Sequence, residues 1–154
     1  MELIAIGLVR NDVKEIGRRD WKDIESEIVV DADFEEALDG LDEFSHIHVI
    51  FGFHRSHWGK GMPLKTHPQC RSDLPLVGLF ATRSPVRPNP LGLTLVRLVE
   101  RRDNTLIVRG LDAIDGTPVY DIKPCLPGDS QSWTRMPEWV HKLQALGAEE
   151  QSQH

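Results

Sequence analysis

Residues 91–111, LGLTLVRLVERRDNTLIVRGL, contain two strand-like runs separated by a pair of turn-forming residues. The first run, residues 91–102, has leucine at positions 91, 93 and 95, with glycine, threonine and valine between and after them. Such alternation is typical of a β-strand, in which successive side chains point to opposite faces. Asp103 and Asn104 favour a tight turn, and the aliphatic residues 105–111 suit a returning strand. The stretch therefore predicts an antiparallel hairpin.

Further strand-like runs lie on both sides of this hairpin. Residues 43–54, EFSHIHVIFGFH, alternate in the same way and place Ile47, Val49 and Phe51 on one face. Shorter runs occur at residues 2–9, 26–30, 74–83 and after Asp115-Gly116. This inventory predicts an all-β fold, a single small β-barrel of six to seven mainly antiparallel strands with two short helices.

The two helices have start signals in the sequence. Asp33 is the expected cap of the first, with Glu36 three residues later as in a capping box. Pro137 opens the second, which we expect to end at Gly147. A chain of 154 residues suits one core, so we expect one domain over residues 1–147 and a frayed tail over 148–154.

Charge is distributed unevenly along the chain. The net charge of −6 argues against a nucleic-acid partner, since phosphate contacts need Lys and Arg. However, residues 83–109 carry six arginines against two acidic residues, while residues 12–43 carry thirteen acidic residues against four basic ones. This asymmetry predicts either a basic face or ordinary solvated strand edges.

The N-terminus lacks a secretory signal pattern, and Cys70 and Cys125 suggest free thiols, so we expect a cytoplasmic protein.

A loop with three prolines, SPVRPNP at residues 84–90, follows the run 74–83. Prolines lower the entropy cost of holding a loop in one conformation, and rigid loops at strand ends often display binding groups. The loop region carries Arg83, Ser84, Arg87 and Asn89. An arginine there can bind a carboxylate or phosphate through two parallel hydrogen bonds. The alternative is a barrel corner with surface arginines.

Three motifs give this sequence a family resemblance: GLFATRSPVRPNPLGLT (78–94), LDAIDGTPVYDIKPCLP (111–127) and FSHIHVIFGFHRS (44–56). Together they resemble the TsaA-like (TrmO-type) family of tRNA methyltransferases over most of residues 3–127. The resemblance implies a single barrel that dimerises and binds S-adenosylmethionine near the dimer interface. It also implies N6-methylation of threonylcarbamoyladenosine beside the anticodon of a threonine tRNA.

Site residues follow from the same resemblance. His54 and Asn89 are the candidate catalytic residues, His54 as a proton acceptor. The resemblance also implies cofactor contacts from His54, Arg55, Arg83, Leu93, Asp115, Gly116, Thr117 and Pro118. On residue type alone, Asp115-Gly116 favours a plain hairpin turn.

Other residues suggest RNA contacts. Arg87 is expected to bind phosphate, Trp58 to stack on a base, and neighbouring Lys60 to support it.

The histidines at 46, 48, 54, 57 and 67, with Cys70, are potential zinc ligands, but their spacing fits no closed zinc pattern and we predict no metal.

Two departures from the family pattern leave other functions open. NDVKEIGRRDWKDIE stands where bacterial members often carry a proline- and glycine-containing cofactor loop, and the sequence shows no tRNA-holding domain after its last helix. The alternatives are a methyltransferase acting on a small molecule and a non-catalytic barrel that binds a nucleoside or RNA.

Overall fold

A computed structural model describes residues 1–129 and 134–152 and divides the chain into two compact units. The first unit comprises Met1–Met62 and Pro85–Leu126, and the second comprises Pro63–Ser84 and Pro127–His154. Eight strands lie among the described residues: β1 (Gly7–Arg10), β2 (Glu25–Val30), β3 (His46–Gly52), β4 (Lys65–Thr66), β5 (Val77–Gly78), β6 (Leu91–Arg102), β7 (Thr105–Arg109) and β8 (Pro118–Pro124). The longest helix is α1 (Glu138–Ser152).

Six strands of the first unit form a closed barrel in the order β1-β2-β7-β6-β3-β8. Every neighbouring pair is antiparallel. The predicted hairpin of residues 91–111 is the β6–β7 pair, with Arg102 opposite Thr105. The prediction of an all-β barrel is therefore confirmed. The second unit contains the small β4–β5 sheet and α1.

The barrel interior is filled by the inward-facing residues of the alternating strands. Ile47, Val49 and Phe51 of β3 are almost fully buried, as are Val96 of β6 and Val108 of β7. Burying each aliphatic or aromatic side chain contributes about 1.5–3 kcal/mol relative to exposure. Since no room for a large ligand is left inside such a small barrel, a ligand has to bind at its surface or its ends.

Gly92 shows why one position on β6 carries no side chain. The Phe51 ring lies where a Cβ at residue 92 would be, so any other residue there would collide with it. Gly92 is directly opposite Phe51 in the strand register. The absence of a side chain at residue 92 lets the Phe51 ring pack directly against the backbone of β6.

Three sequence predictions differ from the structure. Residues 74–83 form only the two-residue β5 and then a 3-10 helix, Leu79–Ala81, because Pro75 lacks an N–H for a ladder. The first helix is a 3-10 helix, Ala32–Leu38, whose N-cap is Asp31 rather than Asp33.

The second helix does not end at Gly147, since a single glycine costs only about 1 kcal/mol in a helix interior and leaves the backbone bonds in place. The division into a domain over 1–147 and a tail stays a prediction. Over the described ranges, the helices are too short or too polar to cross a bilayer.

Candidate functional site at one end of the barrel

Strand direction brings the predicted cofactor residues of the first unit to one end of the barrel. β3 is antiparallel to both β6 and β8, so its C-terminal end meets their N-terminal starts. Phe51 shows this directly, because it pairs with Gly92 of β6 and with Val119 of β8. β1 is also antiparallel to β8, and its Leu8 pairs with Pro118. The residues after β3, at the start of β6 and before β8 are thus neighbours in space.

The segment between Leu111 and β8 forms a tight turn that carries Asp115, Gly116 and Thr117. The N–H groups of Asp115 and Gly116 donate to the carbonyls of Val13 (2.8 Å) and Val9 (2.7 Å). Gly116 has a φ of 80°, which L-residues rarely adopt and glycine adopts freely. Thr117 is buried, and its hydroxyl donates to the Ile114 carbonyl at 2.7 Å. The turn is therefore more than a plain hairpin connection, since β1 and the residues after it hold it in place.

The Asp115 carboxylate receives a donor on each oxygen. The Asn11 N–H donates to Oδ1 at 3.0 Å, and Lys14 Nζ lies 2.8 Å from Oδ2. The hydrogen bond from Lys14, followed by that from Asn11, holds the pKa of the Asp115 carboxyl below its ordinary value of 3.8. Asp115 is therefore ionised at neutral pH. Its side chain is 30% exposed, which leaves acceptor positions open to a ligand.

Arg55 lies beside the same segment that contacts Asp115. Its guanidinium is 3.7 Å from the carboxylate of Glu15, the residue after Lys14. His54 precedes it and is exposed, with its backbone N–H donating to the Gly52 carbonyl. Two consecutive residues, Lys14 and Glu15, thus contact Asp115 and Arg55, which are 60 positions apart in the sequence. A cation and an anion available at one end of the barrel suit a ligand that carries both charges.

Leu93 and the proline loop (residues 85–90) adjoin this end from β6. The Phe53 N–H donates to the Pro90 carbonyl at 2.7 Å, which ties the end of β3 to the loop. Leu93 pairs with Ile50 across the strands and is 52% exposed, so its side chain points out of the barrel. Asn89, the second candidate catalytic residue, is exposed in the loop.

The predicted RNA contacts lie in the first unit as well. Arg87, in the proline loop, is half-buried, and Trp58 and Lys60 follow β3, the tryptophan half-buried and the lysine exposed. Arg83 belongs to the second unit, where its side chain is exposed. Whether any of these residues, or the predicted cofactor contacts, bind a ligand stays a prediction.

The arginine-rich segment is less basic in the structure than in the sequence. Arg101 pairs with Asp39, Arg102 with Glu100, and Arg109 with Glu25. At least these three arginines are therefore paired with carboxylates, two of which belong to the acidic segment of residues 12–43. Linear charge counts missed this because the barrel brings the two segments together.

Two of the histidines weighed as metal ligands make hydrogen bonds. Nδ1 of His46 lies 2.8 Å from the Ser45 hydroxyl, and Nδ1 of His67 lies 2.7 Å from the Leu74 carbonyl. Either contact fixes the orientation of a ring without a metal.

Sequence reasoning missed the segment after β1. Asn11, Lys14 and Glu15 lie in what the sequence shows only as a departure from the family loop. One signal was available: an asparagine directly after a strand often accepts a bond from the N–H two residues later, as Asn11 Oδ1 does from Val13 at 3.0 Å. The distant partners of this segment left no local signal.

Comparisons with known proteins agree with this architecture. The sequence profile of the tRNA-methyltransferase O N-terminal domain matches residues 16–129. A relative from Pyrococcus abyssi, described as "Probable S-adenosyl-L-methionine-binding protein", is 42% identical over 79% of this chain and 66% of its own length. The Escherichia coli tRNA (adenine(37)-N6)-methyltransferase is 44% identical over 60% of this chain and 40% of its own.

A crystal structure of TrmO from Pseudomonas aeruginosa superposes with a TM-score of 0.70 at 32% identity, over 89% of this chain and 60% of that one. The fold is that of a TrmO-type barrel. The chain belongs to the tRNA-methyltransferase O N-terminal domain family. It spans two thirds or less of the length of these three relatives.

Proposed function

We propose that this chain is an S-adenosylmethionine-dependent methyltransferase that modifies N6 of adenosine 37 in tRNA, the activity named for its Escherichia coli relative. The acceptor we propose is threonylcarbamoyladenosine beside the anticodon of a threonine tRNA, and the reaction takes place in the cytoplasm. The observation that carries the proposal is the meeting of His54, Arg55, Leu93 and the 115–118 turn at one end of the barrel.

The charged groups at this end fit the proposed cofactor. S-adenosylmethionine has an ammonium, a carboxylate, ribose hydroxyls and a sulfonium cation. Asp115 is ionised and hydrogen-bonded, so its remaining lone pairs can accept from hydroxyl or ammonium donors. Arg55 can bind a carboxylate, for which its exposed Glu15 partner is a weak competitor, since surface ion pairs contribute little.

Methyl transfer at such a site depends mainly on positioning. When bound, S-adenosylmethionine supplies an electrophilic methyl group, which passes to N6 as the carbon–sulfur bond breaks and N6 loses a proton. Holding two reactants in line removes much of the entropic barrier. His54 is the candidate proton acceptor, because its imidazole is exposed at this end and histidine is a common general base.

We also infer that the active unit is a homodimer with the cofactor pocket near the interface. Support comes from an apolar row on the outer face of β6, where Leu91, Leu93 and Leu95 are 37%, 52% and 46% exposed. A contiguous exposed apolar row is typical of a surface that is covered by a partner. Leu95→Glu should yield monomers by light scattering, while a native chain that is already monomeric at assay concentration would contradict the dimer.

The decisive test is nucleoside mass spectrometry of tRNA from cells with and without the protein. We expect N6-methylated threonylcarbamoyladenosine to disappear without it and to return when purified protein and S-adenosylmethionine are added to that tRNA. Unchanged tRNA together with cofactor binding would favour a small-molecule acceptor. Absence of cofactor binding at millimolar concentration would favour a non-catalytic barrel.

A further inference from the structure

Asn11 is a buried polar residue for which the proposed reaction gives no role. It is the first residue after β1, and only 9% of it is exposed. Buried amides are retained at a cost unless their donors and acceptors are satisfied. The bonds that satisfy this one therefore indicate what the residue does.

The Asn11 side chain joins three separate segments. Its Nδ2 donates to the Ser26 hydroxyl on β2 at 2.9 Å and to the Ala113 carbonyl at 2.8 Å. Its Oδ1 accepts from the Val13 N–H at 3.0 Å. Both amide donors and the oxygen are thus in use, which fixes the side chain and, through it, the main chain of residue 11.

The main chain of Asn11 in turn holds Asp115. The Asn11 N–H donates to Asp115 Oδ1, and the Asn11 carbonyl accepts from Lys14 Nζ at 2.9 Å. The same Lys14 ammonium lies 2.8 Å from Asp115 Oδ2. Both donors to the carboxylate therefore depend on where Asn11 lies. Because the terminal torsion of an aspartate is otherwise broad, two fixed donors set the plane of its carboxylate.

We propose that Asn11 is a positioning residue for the cofactor site, which aims the Asp115 carboxylate at the bound cofactor by anchoring both of its donors to β2 and to the 113–115 segment. This inference rests on the proposed function. It predicts that Asn11 acts through Asp115, although it touches no ligand itself.

Asn104 offers a matched comparison within the same barrel. Its Nδ2 donates to the Val30 carbonyl at 2.6 Å, and so it too ties a turn to β2. Asn11 bonds near the start of β2 and Asn104 bonds at its end, so the two asparagines act at opposite ends of that strand. Only Asn11 contacts a predicted cofactor residue. If the role of Asn11 were purely structural, substituting Asn11 and substituting Asn104 would have equivalent effects on stability and on cofactor binding.

The test measures the dissociation constant of S-adenosylmethionine by calorimetry for the full chain and its variants. Asn11→Ala should raise Kd about 10-fold or more when Asp115 is present, but less than about 2-fold in an Asp115→Asn background, since groups that act as a unit are not additive. Ser26→Ala, which removes one partner of the Asn11 amide, should change Kd in the same direction by less. Asn104→Ala should lower the melting temperature and leave Kd unchanged.

Circular dichroism identifies a temperature at which each variant is folded, and binding is measured there. If Asn11→Ala raises Kd by the same factor in the native chain and in the Asp115→Asn background, the positioning role is overturned and the proposed function stands. An Asn104→Ala variant that loses as much affinity as Asn11→Ala would have the same consequence. If Asn11→Ala does not fold, the milder Ser26→Ala variant decides the question by the same comparison of backgrounds. Absence of cofactor binding by the native chain would overturn both proposals.

Discussion

The 115–118 turn and the proline loop at residues 85–90 lie at the same end of the barrel, but they are held in different ways. The turn depends on hydrogen bonds with residues about a hundred positions away: it accepts from the Asn11 N–H and donates to the Val9 and Val13 carbonyls. The loop contains prolines at 85, 88 and 90, each of which restricts its own backbone and that of the preceding residue. A turn held mainly by distant partners is more vulnerable to single substitutions than a loop stiffened mainly by its own prolines.

The largest expected effect comes from the carboxylate that the turn presents. Asp115→Asn keeps the size of the side chain and removes its charge, so cofactor Kd should rise by about 10- to 100-fold, the range for losing one or two charge-assisted hydrogen bonds. Calorimetry with S-adenosylmethionine measures this. Asp121→Asn, which removes the carboxylate of an exposed pair with Lys123 on β8, is the control and should bind normally. Equal affinity of the Asp115 variant and the native chain would remove Asp115 from the site.

The backbone of the turn should be the next most sensitive feature. A Cβ at Gly116 or at Gly147 would meet no atom within 4 Å, but only Gly116 has a positive φ, at 80°. Gly116→Ala should therefore destabilise the chain by about 1–2 kcal/mol through backbone strain.

The matched variant Gly147→Ala should instead stabilise the chain by about 1 kcal/mol, because alanine is the better residue inside α1. Scanning calorimetry compares the two, and shifts of the same sign would refute the strain argument.

The proline loop should show a smaller and different effect. If Arg87 binds a phosphate, Arg87→Ala lowers the slope of log K against log salt for tRNA by about 0.7–0.9 and leaves cofactor affinity unchanged. Filter binding across a salt series gives the slope. Arg102→Ala is the control, because that arginine lies at the far end of β6 from the proline loop. Parallel salt lines for Arg87→Ala and the native chain would exclude Arg87 from the RNA surface.

The smallest effect concerns pH. The pKa of Asp115 is lowered in the folded chain, so its ionised form stabilises the fold above about pH 3.8, and this contribution is lost as pH falls through the lowered value. Lys14→Met removes the largest cause of that shift. The free energy of unfolding of this variant should be lower than that of the native chain at pH 7, and the difference should shrink below about pH 3.8.

Urea unfolding at pH 7 and at a pH below about 3.8 tests this prediction. Lys123→Met, which removes the lysine of another exposed pair, controls for the loss of a surface charge. A deficit that does not change with pH would show that Lys14 acts on the fold through something other than Asp115.

Much of the fold could be predicted because its signals are local. The alternation in residues 43–54 and 91–102 follows from the two-residue period of a strand, and both segments contain the predicted strand. Residues 74–83 misled the prediction because an apolar run alone does not distinguish a ladder strand from a short turn-rich segment, and Pro75 removes one donor. The motifs also identified the family, which the profile match over residues 16–129 confirms.

By itself, the sequence determined the strands of the barrel, the barrel class, the family and the residue types available for binding. Only the tertiary structure decided which of these residues meet. Antiparallel closure of the barrel brings the end of β3, the start of β6 and the 115–118 turn together, and it pairs Arg101 and Arg109 with carboxylates of the acidic segment. It also gives Asn11 its partners Ser26 and Ala113. Strand alternation is set by the backbone of a few adjacent residues, whereas these contacts exist only after the chain has closed on itself.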